Sequence, residues 1–311
     1  MMKWNDKFYH SLDFYLKERF GRKIYKLSLN GGMSCPNRDG KLDTRGCIFC
    51  SAGGSGDFAT SARLSIGKQI EAAKSLVASK TKEDAYIAYF QAYTNTYAPV
   101  EYLENIFMQA ISHKDIVALS IATRPDCLAD EVIELLVKLN KIKPVFIELG
   151  LQTINEESAR YIRRGYSLNI YDDAIKRLNM AGIEVIVHMI IGLPNEDIND
   201  MLATAKHIAK SKAKGIKLQL LHILENTDLA NDYRNNKFNA LSFEEYIDII
   251  ITILEILPPD MVIHRLTGDG PKDLLIAPLW SKDKKRVLNE INKQLKARNT
   301  YQGAKYHLER N

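Results

Sequence analysis

Seven short, mostly apolar runs recur along this 311-residue chain, at 24–29, 85–90, 116–121, 144–149, 184–191, 215–222 and 261–264. Stretches with apolar residues at helical spacing separate them, at 65–79, 99–110, 130–139, 155–162, 170–181, 197–211 and 243–257, and another, 9–20, precedes the first run. Strand alternating with helix calls for parallel strands joined by right-handed crossovers. Most of the runs are apolar almost throughout, as strands buried on both faces are. Eight such units close a barrel, and six or seven leave it open. The expected fold is therefore α/β, a partial (open) parallel β/α barrel of six to seven βα units with a C-terminal helical extension.

The polar and glycine-rich clusters all fall just past the C-terminal ends of these runs: 35–50, 91–97, 123–126, 148–152, 188–194, 222–226 and 264–269. In parallel α/β barrels that face carries the active site. The first cluster is the most informative. Cys35, Cys47 and Cys50 are three of the chain's four cysteines, and they fall within sixteen residues. The Cys47–Cys50 spacing lets one turn of backbone aim two sulfurs at one point. Three thiolates suit a thiophilic centre, zinc or an iron–sulfur cluster. Zinc would need a distant fourth ligand, since only Cys127 remains and no histidine lies between residues 11 and 112. A disulfide and mere packing of small buried thiols are the other readings. The loop 51–58 that follows is glycine-rich but lacks the Gly-Lys-Ser/Thr of a phosphate loop.

Residues 1–6 have no apolar run behind their charges, and no apolar stretch approaches the length of a membrane span. The expectation is a soluble, cytoplasmic protein with no membrane partner. The net charge of +5 is concentrated at one end: residues 281–311 hold nine Lys and Arg against three acids. A solvated helical face and a phosphate-binding surface both fit that tail. The expected division is 1–270 as the barrel with its N-terminal helix, and 271–311 as a basic extension that packs on the barrel or contacts RNA.

The chain resembles radical S-adenosylmethionine (SAM) enzymes of the group with expanded cysteine spacing, here Cys-x11-Cys-x2-Cys with Phe49 before Cys50. It is similar to the catalytic subunit of Elongator in Thr123-Arg-Pro-Asp126 and Glu148-Leu-Gly-Leu-Gln-Thr153. It is closer to a bacterial family related to that subunit, through 92–99, 191–194 and 264–271. The resemblance implies that Cys35, Cys47 and Cys50 hold a [4Fe–4S] cluster whose fourth iron is chelated by SAM. It implies that one electron, from a reductant such as flavodoxin or ferredoxin, yields a 5′-deoxyadenosyl radical that abstracts hydrogen from substrate. The protein positions the reactants and excludes water.

Other roles follow the same resemblance. Gln91 and Thr94 stand where the SAM amino group is usually met, in a stretch that lacks the usual acid. Glu148 and Gln152 are placed to bind ribose hydroxyls or the methionine part, although Glu148 also reads as an interior carboxylate paired with Arg124. Arg164, or its neighbour Arg163, could meet the SAM carboxylate, or be solvated at a helix end. Gly192 and Leu193 offer a backbone edge to adenine, or form a plain turn. Of His188, His222 and His264, all near strand ends, each alone reads as a core histidine, and three on one face favour a role for at least one. Cys127 reads first as a packed thiol and second as a substrate-side group.

For substrate, the resemblance implies tRNA, at the wobble uridine. The reaction expected is conversion of 5-carboxymethylaminomethyl(-2-thio)uridine to the 5-aminomethyl form. Tyr301 and Tyr306, interleaved with Arg298, Lys305 and Arg310, suit stacking on unpaired bases or docking on the barrel. The rival readings are a radical SAM enzyme acting on a small metabolite or a protein, and a non-enzymatic RNA-binding protein with a zinc site.

Overall fold

The computed structural model describes residues 2–54, 56–79, 81, 83–268 and 270–306. Asp269 and Arg310, singled out above, and Ser55 of the glycine-rich loop lie outside the described residues. Helix α1 (Leu12–Phe20) leads into β1 (Tyr25–Leu29), α2 (Ile66–Val77), β2 (Tyr86–Phe90), α3 (Val100–Ile111), β3 (Ile116–Thr123) and α4 (Asp130–Asn140). Next come β4 (Val145–Gln152), α5 (Glu156–Tyr161), α6 (Leu168–Met180), β5 (Glu184–Ile191), α7 (Ile198–Lys210) and β6 (Gly215–Leu220). The chain ends through β7 (Ile223–Leu224), α8 (Asp228–Arg234), α9 (Phe243–Ile256), β8 (Val262–Arg265), β9 (Leu275–Ala277) and α10 (Lys284–Ala297).

Seven strands form one sheet in the order β1-β2-β3-β4-β5-β6-β8, every pair parallel. The sheet does not close: β1 and β8 are its two edges. The expected open barrel is present, with seven strands. Sequence periodicity misses α8 and the short antiparallel pair β7–β9. Both are too brief to set up a period of their own. Helix starts follow local chemistry. Asp197 and Ser242 each close a capping box at the head of α7 and α9.

Side chains alternate across each strand, which sorts the strands into an outer and an inner set. Outward residues such as Leu27, Leu29, Ala88 and Phe90 pack with Leu103, Phe107 and Leu136 of the surrounding helices in the main core. Inward residues form layers. The lowest is apolar: Ile87, Ala118, Phe146 and Ile186 pack with Leu16 of α1, which plugs the barrel floor. Two residues further along the same strands stand Tyr89, Ser120, Glu148 and His188, so the next layer up is polar.

The floor is tied at the open seam. The Ile263 amide donates to His10 O at 2.7 Å. The buried Gln302 side chain donates to Pro258 O and Met261 O and accepts from the His10 amide. Helix α10 buries Val287, Ile291 and Leu295. The tail thus docks on the barrel: Arg298 pairs with Asp248, and Lys305 with Glu255.

Candidate active site

The cysteine loop leaves β1 at the C-terminal mouth and is pinned by its own backbone. The Cys35 carbonyl accepts from the Arg38 and Asp39 amides at 2.7 and 3.2 Å, and the Cys50 amide donates to Cys47 O at 3.0 Å. That last turn brings the two sulfurs to one side. Asn37, almost wholly buried, donates to Arg163 O at 2.7 Å and to Cys47 Sγ at 3.3 Å. Arg38 donates to the Cys50 and Ser51 carbonyls. The glycines are needed for close approach: a Cβ on Gly54, at φ +57°, would stand 2.2 Å from the Tyr93 ring, and one on Gly165, at φ +80°, 2.7 Å from Asn37 Oδ1.

Cys35, Cys47 and Cys50 line one cavity of about 190 Å3, and all four cysteines are free. Burial pushes the Cys47 thiol up to about 12 and raises that of Cys50. Such thiols ionise when a cationic centre binds them. Around one zinc ion, bonds of about 2.3 Å would bring the sulfurs to roughly 3.8 Å of one another. Among the described residues, the three metal-ligating groups that lie within 4.8 Å of one another are Glu71, His113 and Asp115 on the outer surface, bridged by Lys74. The three cysteine sulfurs are not all within 4.8 Å of one another, as three ligands of one zinc ion would be.

Gln91, Thr94, Glu148, Gln152 and Arg164 line the same cavity. Gln152 ends β4 at φ 70°, turning the chain inward after Gly150. Arg164 is 2% exposed and acts as a clamp, donating to Leu151 O, Thr153 O, Tyr166 O and Glu156 Oε1. It is therefore not solvated at a helix end, and Arg163 is engaged by Gly46 O and Asp228. Gly192 and Leu193 are not on this cavity's wall. Leu193 packs with Ile48, Ile162 and Ile223, and a Cβ on Gly192 would press on Leu241. Cys127 is also off the wall, half-buried beside Asp126.

Glu148 is the centre of the polar layer. Its Oε1 accepts from Ser120 Oγ at 2.8 Å and Lys26 Nζ at 2.5 Å, and its Oε2 from His188 Nε2 at 2.8 Å and Lys217 Nζ. The pairing with Arg124 expected from the sequence is absent. Arg124 instead forks onto Asp126 at 2.9 and 2.8 Å and lies over the Tyr166 ring. Burial alone would raise the Glu148 pKa, but Lys217, Lys26 and His188 hold it well below the usual range. Burial, with Lys217 adding to it, brings His188 down to about 4, so its ring is neutral near pH 7. Burial brings Lys217 down to about 7 against the pull of Glu148. Tyr89 is sandwiched, with Lys26 Nζ 4.9 Å and Lys217 Nζ 4.7 Å from its ring centre.

A second cavity, of about 1300 Å3, opens at the seam between β1 and β8. It shares Cys50, Gln91, Lys217, Gln219 and Arg265 with the cysteine cavity, so the two are continuous. His222 and His264 line only the larger one, and His188 only the smaller. Seven Lys and Arg side chains line the larger cavity against three Asp, which makes its wall cationic. Sequence reading misses Asn37, Lys26, Lys217 and Arg265. The lysines carry a signal: Lys26 alternates with Ser28 on one face of β1 and Lys217 with Gln219 on one face of β6, while the other face of each strand is apolar.

Residues 44–208 match the family model of the Radical SAM superfamily, and 213–297 that of the Radical_SAM C-terminal domain. The first match includes Cys47 and Cys50 but begins after Cys35. The Bacillus subtilis protein YtqA is 46% identical over 298 residues, covering 96% of this chain and 92% of that protein. The tRNA uridine(34) acetyltransferase of Methanocaldococcus jannaschii is 28% identical over 163 residues, 51% of this chain and 30% of that protein. In fold, the chain is similar to the solved structure of Methanocaldococcus infernus Elp3 with an N-terminal deletion. The TM-score is 0.68 at 18% identity, covering 90% of this chain and 64% of that one.

Proposed function

The chain belongs to the radical SAM superfamily, and on that premise we propose that its substrate is tRNA, at the wobble uridine. The reaction is trimming of 5-carboxymethylaminomethyl(-2-thio)uridine to the 5-aminomethyl form. A [4Fe–4S] cluster and SAM are the family's cofactors, and together they supply a 5′-deoxyadenosyl radical able to take hydrogen from an unactivated carbon. Cys35, Cys47 and Cys50 would hold the cluster, with Asn37 fixing Cys47. Gln91, Thr94, Gln152 and Arg164 would shape the SAM cavity, with Arg164 acting through the Leu151 and Thr153 carbonyls it clamps at the end of β4.

The observation that carries the tRNA reading is the continuity of the cysteine cavity with a cationic chamber of about 1300 Å3. Sites for small ligands run to roughly 300–1,000 Å3. A larger, basic chamber open at the seam suits a base splayed out of a folded RNA with its phosphates near the rim. Lys282 and Lys284, from the basic C-terminal extension, line that chamber. The partial similarity to a tRNA uridine(34) acetyltransferase supports the same reading. In the product-forming sequence, loss of hydrogen from the glycyl methylene, then of one electron and one proton, gives an imine. Water hydrolyses it to the 5-aminomethyl group and glyoxylate. The electron acceptor is a one-electron carrier such as flavodoxin or ferredoxin.

The test is anaerobic incubation of reconstituted enzyme with dithionite, SAM and tRNA that carries the 5-carboxymethylaminomethyl group, followed by nucleoside analysis. The expected result is 5′-deoxyadenosine together with 5-aminomethyl nucleoside. Formation of 5′-deoxyadenosine with no change in any nucleoside would overturn the tRNA reading.

A further inference from the structure

Charge balance inside the barrel is uneven. Among the described residues the polar layer holds one carboxylate, Glu148, and both its oxygens are taken by the four donors above. Around it stand Lys26 from β1 and Lys217 from β6. Lys26 is 18% exposed at its side chain and Lys217 6%. Burying cations in excess of anions is costly unless a further anion arrives. The donors are also in surplus. Each ammonium has three N–H groups. Lys26 spends its own on Glu148 and Ser120, and Lys217 on Glu148 and Tyr89. One N–H on each is left over. His264, on the wall of the same chamber, has a buried Nδ1 without a hydrogen-bond partner.

We propose that Lys26 and Lys217, on the wall of the chamber that adjoins the cysteine cavity, form a subsite for a free carboxylate on the substrate, the terminal group of the wobble modification. The proposal rests on the tRNA reading and deepens it. Both lysine ammoniums face the chamber that adjoins Cys50 and Gln91. A carboxylate held there would fix the neighbouring methylene beside the radical-generating cavity. Phosphate shares the chemistry, but a backbone phosphodiester carries a sugar on each side. It does not fit against amines buried this deeply, whereas a carboxylate on a short flexible stem does. The subsite also gives the enzyme a means to reject tRNA whose modification has already been trimmed, because the spare N–H groups of two buried lysines would then stay unsatisfied.

The test compares two tRNAs on the cluster-loaded enzyme with saturating SAM and no reductant, so that nothing turns over. One carries 5-carboxymethylaminomethyluridine and the other 5-methylaminomethyluridine, which lacks the carboxylate. The wild type should bind the first more tightly by about tenfold or more, the value of a charge-assisted contact. Lys26→Met should bring that ratio close to one. Lys217→Met alone leaves Glu148 poorly paired, so it is made together with Glu148→Gln, and this pair should also lower the ratio. Iron content and far-UV circular dichroism establish that each variant is folded. A ratio unchanged in both variants overturns the proposal while leaving the tRNA reading intact. Equal weakening of both tRNAs assigns the cations to backbone phosphate and overturns it too. Weaker SAM binding with the ratio kept assigns them to the cofactor and likewise overturns it. If the wild type converts neither tRNA when reduced, it is the tRNA reading that fails.

Discussion

The mouth and the floor of this barrel each bury a glutamate, and the two are satisfied in opposite ways. At the floor, Glu255 of α9 accepts from Thr300 Oγ1 at 2.6 Å and from Lys305 Nζ at 2.5 Å, one cation for one anion. Gln302 beside it spends its side-chain donors and acceptor on backbone partners. Toward the mouth, Glu148 faces two lysines and a histidine, with Arg265 close enough to depress Lys217 further. Balanced charge marks a joint that only has to hold. Unbalanced charge inside a cavity marks a place built for something that comes and goes. The floor is where the segments around His10 and Gln302 are tied to the barrel, and the mouth is where surplus donors are kept next to the cysteines.

The largest effect should come from the cysteines. Changing Cys35, Cys47 or Cys50 to Ala should take iron from about four per chain to near none and abolish 5′-deoxyadenosine formation. Cys127→Ala, off the cavity wall, should keep its iron. Metal analysis of anaerobically reconstituted protein reads both. Iron retained in full after loss of Cys35 would remove the expanded spacing from the site.

Next in size is Glu148→Ala. Removing the one anion of the polar layer strands Lys26 and Lys217, which costs about 3–5 kcal/mol when a buried pair is broken from one side. Denaturant unfolding measures it. A cost below about 1 kcal/mol would mean that the layer is hydrated and that its charge imbalance has no consequence.

The contrast between mouth and floor is only half legible in the sequence. The βα rhythm points to the open barrel because long apolar runs at period two and 3.6 are local properties. The cysteine loop stands out because its ligands are close in sequence. The polar layer does not, because Lys26, Glu148, His188 and Lys217 come from four strands and meet only once the sheet curls. Glu148 is conspicuous on its apolar strand, but the partner that the sequence suggests for it is Arg124. Arg124 is in fact satisfied two residues away by Asp126, a local solution that sequence inspection underrates. Arg164 reads from sequence as facing ligand or solvent; burial excludes the solvent reading, and the side chain lines the cysteine cavity while clamping the end of β4. The docked tail is equally hidden, since nothing in Gln302 announces four partners that lie 41 to 294 residues away.

A pH titration sharpens the comparison from another side. His188 is held at about 4, first by burial and then by Lys217. Arg265 adds positive charge in the same direction, and Glu148 opposes them. In the unfolded chain the imidazole takes up its proton near pH 6.5, and in the native one only near pH 4. Between those values the unfolded state holds more protons, so stability falls as pH is lowered across that window. The loss should amount to about 3 kcal/mol by pH 4, read as a shift in denaturant midpoint. His188→Gln should flatten that part of the profile, and an unchanged slope in the variant would assign it to other groups.

The smallest effect belongs to the floor. Glu255→Gln keeps an acceptor for Thr300 and loses only the charge facing Lys305, whose side chain is 54% exposed and can turn to water. A pair so hydrated on one side contributes about 1 kcal/mol or less. The variant should therefore unfold at nearly the wild-type denaturant concentration. Its 5′-deoxyadenosine yield per iron should equal that of the wild type, since neither cavity has Glu255 on its wall. If Glu255→Gln instead impaired SAM cleavage as deeply as a change at Glu148, the floor and the mouth would be one coupled network, and reading function from charge imbalance alone would be wrong.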